Sequence, residues 1–235
     1  MEDQIPSLKK TGRLAGLLSF FWTLTGIYGL MYLPSQTIVR GDAVATANKI
    51  LANEFLFRTG IINDLMGSVI WVFMVLVLYR LFKHVNERHA KLLVALVLVQ
   101  IPVVFIMGAF NMATLMMVKG EILKTFELNQ RQDLAMLFLK ISDYGNLTLE
   151  AYWGLWLFPL AILTYKSRFL PRFLGIWLTI TGFAYVVLSI TGLLFPEYYN
   201  TLFKISFPAM LGELAFTLWL LIIGVKVQKP KEVQP

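Results

Sequence analysis

The sequence predicts an all-α polytopic membrane protein. It would be a six-transmembrane-helix bundle with short amphipathic outer helices and both termini cytoplasmic. Three observations predict it. Hydrophobic residues make up 57% of the 235 residues and charged residues only 15%, where soluble domains run at about 45–50% apolar and about 25% charged. Six stretches, near 14–33, 57–82, 91–118, 145–165, 173–195 and 205–226, are mainly apolar and supply the roughly 20 residues needed to cross about 30 Å of hydrocarbon. Finally, the basic residues gather at one end of these stretches.

The first stretch, LAGLLSFFWTLTGIYGLMYL, is longer than the roughly 7–15 apolar residues of a signal peptide. It ends in MYLP without a small-residue cleavage site, so it reads as a retained anchor. The outer loop SQTIVRGDAVATANKILANE follows. Its Gly41-Asp42 pair reads as a turn and an N-cap, which predicts a short helix over 43–53. The second stretch descends to the inner loop RLFKHVNERHAK, and the third rises again. In the next outer segment, KGEILKTFELNQRQDLAMLFLKISDYG, Leu134, Leu137, Phe138 and Ile141 recur at helical spacing. This segment is expected to lie along the interface or cap the bundle. The fourth and fifth stretches are joined on the inner side by YKSRFLPRF, with Pro171 just before the fifth helix. A brief outer loop, PEYYN, leads to the sixth, and its tyrosines suit the headgroup level. Residues 1–227 read as one transmembrane domain and 228–235 as a disordered cytoplasmic tail.

The net charge is +7. With the N-terminus in the cytoplasm, the inner segments carry Lys9, Lys10, Arg13, Arg80, Lys83, Arg88, Lys91, Lys166, Arg168, Arg172, Lys226, Lys229 and Lys231, most of the 21 Lys and Arg. That distribution follows the positive-inside rule and suits anionic headgroups. No aromatic-interleaved basic stripe points to nucleic acid.

Catalytic and cofactor chemistry finds little support. With no cysteine there is no disulfide, thiolate ligand, Cys nucleophile, prenyl or palmitoyl site. The two histidines, His84 and His89, share the inner loop in HVNERH, which is neither HExxH nor its inverted form. No histidine sits at membrane depth, which argues against bis-histidine haem, a histidine zinc hydrolase or a Ser-His dyad there. No catalytic residue, metal ligand or cofactor is assigned.

Three acids, Asp64, Glu150 and Glu213, lie inside the apolar stretches. An intramembrane ionisable residue points to function, because burying it is costly. Each acid sits on an outside-to-inside helix, about 8–13 Å below the outer surface at 1.5 Å per residue. Their helical neighbours are small or polar: Gly60, Gly67 and Ser68 around Asp64, Asn146 and Gly154 around Glu150, Ala209 and Thr217 around Glu213. Such faces turn toward other helices. On the third helix, Gln100, Met107, Asn111 and Thr114 fall near one face. One reading is a shared outward-facing pocket of Asp64, Glu150, Glu213, Asn111 and Asn146, with Arg58 as its candidate counter-charge. The other is that each acid is satisfied separately, with Arg58 paired to Glu54 four residues before it.

Four stretches, TGRLAGLLSF, GDAVATANKILANEFLFRTGIINDL, YKSRFLPRFLG and FPAMLGELAFTLWLLIIGVK, stand in fixed order and spacing. Together they resemble the bacterial integral membrane family called domain of unknown function 4386, over roughly residues 10–227. The resemblance implies a polytopic protein of the bacterial cytoplasmic membrane. It brings no established activity, ligand or catalytic residue.

Three functions are therefore expected in turn. The first is binding or movement of a small cation, proton or polar ligand at the carboxylate-lined pocket. The second is a non-catalytic accessory role through a membrane protein partner. The third is an intramembrane enzyme pairing Asp64 with Glu213 for acid–base work. The lipid bilayer is a partner in every case.

Overall fold

Pro102 and Pro196 divide the chain where the sequence pattern alone runs on or starts late. In the computed structural model, residues 4–226 are described, with side chains from Leu8 onward; the expected tail at 228–235 lies outside the described residues. The described chain is helical without strands: α1 (Gln4–Ile27), a π-helical turn (Tyr28–Tyr32), α2 (Leu33–Thr37), α3 (Ala43–Ala52), α4 (Glu54–Phe82), α5 (Glu87–Leu98), α6 (Ile101–Lys119), α7 (Leu128–Lys166), α8 (Arg172–Leu194), α9 (Pro196–Leu218) and a second π-helical turn (Trp219–Ile223). Six spans within it are long and apolar enough to cross a membrane, so this is a multi-pass membrane protein. The short outer helix is present as α3. Gly41 turns the chain at φ 78°, and Asp42 caps the helix by accepting from the Ala45 N–H at 2.8 Å.

Three boundaries differ from the sequence pattern. The third span is two helices, α5 and α6, parted at Val99-Gln100. Pro102 lies in the first turn of α6, where its missing N–H costs nothing, but it cannot continue α5. Gln100 turns its side-chain amide back on the helix it ends, with Nε2 donating to Leu96 O at 2.6 Å. The fourth span begins at Leu128 rather than near 145, because Glu127 and Gln130 form a capping box there and nothing breaks the helix afterwards. The amphipathic outer segment is thus the first half of α7. The sixth span starts at Pro196, immediately after α8.

The spans close into a ring in chain order. Span one packs on α4, α4 on α5 and α6, these on α7, α7 on α8, α8 on α9, and α9 returns to α1. Gly12 packs on Val225, and the Lys226 N–H donates to Phe169 O at 3.0 Å. The two ends of the described chain therefore meet at the same end of the bundle, as six spans require. Glycine allows the closest seams. A Cβ on Gly16 would meet the backbone of Leu220 and Leu221, and one on Gly154 would meet Gly182 O. Large apolar side chains such as Phe73, Phe183, Ile205 and Ile222 face outward, where lipid rather than water covers them.

At the ring's centre, Trp22, Trp71 and Trp156 meet. Trp22 and Trp71 stack with ring centroids 5.1 Å apart, and Trp156 meets both edge-on at 6.1 and 6.0 Å. Three helices thus contribute one aromatic layer across the interior.

Candidate functional site

Above that aromatic layer, on the side the charges mark as outer, lies a cavity of about 180 Å³ between α1, α2, α4, α6 and α7. A single water needs only about 10–15 Å³ of such space. Its polar wall comes from Asn63 and Asp64 on α4, Asn111 on α6, and Ser142, Asp143 and Asn146 on α7. Trp22, Trp71 and Trp153 border it, and residues such as Leu30, Leu33, Phe57, Val104 and Met107 make the remainder apolar.

Helical spacing explains each wall. Asp64, Gly67, Ser68 and Trp71 form one stripe of α4, and Leu139, Ser142, Asn146, Leu149 and Trp153 one stripe of α7. Asp64 stands ten residues into α4, about 15 Å along its axis. Its carboxylate touches Asn63 Nδ2 at 3.5 Å, while that amide also donates to Thr25 O on α1 at 3.0 Å. No Lys or Arg pairs with Asp64 among the described residues. Gly29 makes room for it: a Cβ there would lie 3.0 Å from Asn63 Nδ2 and 3.1 Å from Asp64 Oδ1. Gly29 belongs to the π-helical turn, a local widening of α1 often found at functional sites. Asp143 is exposed at the mouth, with Arg40 in electrostatic range.

The other two acids are elsewhere. Glu150 is buried, and its Oε1 accepts from the Tyr199 hydroxyl of α9 at 2.6 Å. Its Oε2 is buried without a partner. Glu213 borders a separate space of about 20 Å³ with Ser19, Thr23, Trp22, Trp156 and Thr217, room for about one water. Its Oε2 accepts from the Tyr185 hydroxyl of α8 at 2.9 Å. Tyr185 is in electrostatic range of both Glu213 and Glu150.

Depth follows from the tryptophans. Trp71 and Trp156 touch, and Asp64 and Glu150 stand seven and six residues before them on parallel helices. These two acids share a level about two turns above the layer. Glu213 does not share it, since its small space also reaches Met74, Leu78 and Leu160, one or two turns past the layer. Of the expected pocket, Asp64, Asn111 and Asn146 come together, while Glu150 and Glu213 line other places. Arg58 stays outside. Its Nη2 reaches Glu54 Oε1 at 2.8 Å, in a surface cluster where Lys119 Nζ binds Glu54 at 3.0 Å and Glu121 at 2.9 Å.

Asn63, Ser142 and Asp143 are site residues that the sequence pattern does not single out. Asp143 stands three residues before Asn146 and on the same side of one helix, but that signal shows only once α7 is known to begin before it. Among the described residues, no group of three or more His, Asp or Glu side chains could hold a metal ion.

A family model described as Domain of unknown function (DUF4386) matches residues 14–224. No curated protein and no solved structure matches the chain.

Proposed function

The chain belongs to the family of the Domain of unknown function (DUF4386), whose model covers residues 14–224, and from that premise we propose that it binds a small cation or polar ligand in its outer cavity. The proposed setting is the bacterial cytoplasmic membrane, with the Lys- and Arg-rich end inward. One observation carries the reading: Asp64 presents a carboxylate to a cavity some 15 Å down α4 with no basic partner. An acid at that depth is expensive unless a positive charge, a proton or water compensates it. Asn63, Asn111, Asn146 and Ser142 surround the same space with hydrogen-bonding groups. The aromatic layer beneath favours binding over an open path.

The different surroundings of Asp64 and Glu213 support this reading over an enzyme that pairs them. An accessory role through a membrane partner has no comparable feature to stand on. The test uses the purified protein and a panel of inorganic and organic cations at constant ionic strength, read by thermal stability. At least one cation should stabilise the protein, and Asp64→Asn should remove that gain. Equal gains in both proteins, or none with any cation, would sink the reading of Asp64 as a cation site.

A further inference from the structure

The same cavity also carries information about the kind of cation. Resting on the reading above, we propose that the occupant is an organic ammonium ion: one positive charge on a small apolar body, held between Asp64 and the tryptophan layer.

Charge comes first. Two carboxylates border the cavity, Asp64 and Asp143. Asp143 has Arg40 in electrostatic range at the mouth, so the chain supplies its counter-charge. Asp64 has only Asn63 beside it. One uncompensated negative charge matches a monocation.

The walls decide what surrounds that charge. A bare inorganic cation needs a shell of oxygens, typically about six or more for calcium or magnesium. Here the polar groups other than the two carboxylates are neutral amides and hydroxyls spread over several helices, and much of the remaining wall is Leu, Val, Met, Phe and Trp. Among the described residues no three acidic or histidine side chains converge. The apolar part of that wall offers an inorganic ion nothing, but it covers alkyl groups well. The tryptophans add a specific attraction. Trp22 and Trp71 stack on one another at the base of the cavity, which leaves the half-buried Trp22 as the indole of the pair with surface to offer, and indoles attract ammonium groups more strongly than other aromatic rings do. A carboxylate above and indoles below is an arrangement that takes a cation with a carbon skin.

Two further groups point to a ligand. Trp71 is 3% exposed and Ser142 is 5% exposed. Both border the cavity, and neither Trp71 Nε1 nor Ser142 Oγ has a protein partner. Buried polar groups are usually paired; the Ser142 hydroxyl can accept from an ammonium N–H, while the Trp71 N–H is a donor only and holds no cation by its hydrogen bond. Gly29 is the spatial counterpart. Any side chain there would press on Asn63 and Asp64 and shrink the space beside the acid.

The experiment titrates the full-length protein in detergent, following tryptophan fluorescence and thermal stability. The probes are tetramethylammonium and choline chloride, compared with sodium, potassium and magnesium chloride at matched ionic strength, and with 3,3-dimethyl-1-butanol as the uncharged isostere of choline. A saturable fluorescence change with the ammonium salts is expected. It should weaken about tenfold or more with the neutral isostere or in Asp64→Asn, and about fivefold in Trp22→Phe. Gly29→Val keeps the charge and should abolish binding by filling the space, so the experiment stays decisive if Asp64→Asn does not fold. Saturation by inorganic cations with no response to the ammonium salts overturns this inference and leaves the proposed function standing. No response to any cation overturns both. Equal binding by the ammonium salts and the neutral isostere overturns the charge-based recognition.

Discussion

The Tyr185 hydroxyl donates to Glu213 Oε2 across the α8–α9 seam at 2.9 Å. A second Tyr–Glu pair, Tyr199 to Glu150, joins α9 to α7. Together with the hydroxyl bonds of Thr181 to Ala209 O and Ser189 to Leu147 O, these two bonds fasten three consecutive spans through polar groups. Each acid thereby accepts one bond from a neighbouring helix, apart from the cavity that holds Asp64, and Glu150 keeps its Oε2 without a partner.

Removing the first donor should loosen the bundle. Tyr185→Phe keeps the ring and deletes the bond. An unpaired buried polar group costs about 1–3 kcal/mol in soluble proteins, but hydrogen bonds between membrane helices average only about 0.6 kcal/mol. A loss of about 1 kcal/mol is expected, measured by denaturant unfolding in one detergent. Unchanged stability would mean that water replaces the tyrosine at Glu213.

Tyr199 and Glu150 should couple. A double-mutant cycle with Tyr199→Phe and Glu150→Gln is expected to give an interaction of about 0.5–1.7 kcal/mol. Strict additivity would show that the 2.6 Å bond contributes nothing specific to stability.

Glycine seams should be intolerant only where backbones touch. Gly16→Leu drives a side chain into the Leu220-Leu221 backbone and should cost about 1–3 kcal/mol or more. Gly26 has nothing within 4 Å of its would-be Cβ, so Gly26→Ala should stay within about 0.5 kcal/mol of wild type. Thermal unfolding of the two variants side by side separates them. Similar losses at both sites would contradict the close α1 seam.

The cysteine-free background allows proximity to be measured directly. Gly29→Cys with Asp64→Cys should be joined by a short thiol crosslinker in membranes, given the 3.1 Å approach at that point. Asp64→Cys with Glu213→Cys should not, because the tryptophan layer lies between their levels. Efficient joining of the second pair would restore the shared pocket.

Arg58 should be dispensable for the cavity. Its guanidinium is held by Glu54 on the surface, so Arg58→Ala should leave cation titrations within about twofold of wild type. A large change in affinity would bring Arg58 into the site.

Sequence alone determined the class of molecule, the six spans and the α3 cap. Those depend on local quantities: the length of an apolar run against bilayer thickness, and one side chain that caps the next turn. It also marked Asp64, Asn111 and Asn146, since a polar residue in a small-residue stripe must face inward whatever the neighbour is. Tertiary structure decided the rest. A capping box at Glu127 started α7 early enough to bring Ser142 and Asp143 to the cavity, where their stretch had read as an outer segment. Pro196 started α9 early as well, so counting from the expected helix starts placed Glu213 at the wrong level. Trp22, Trp71 and Trp156 come from three separate spans, and only their meeting parts the Asp64 cavity from the space beside Glu213. Helical periodicity reports that a face is buried; it carries no information about which helix covers that face, or at what height the two meet.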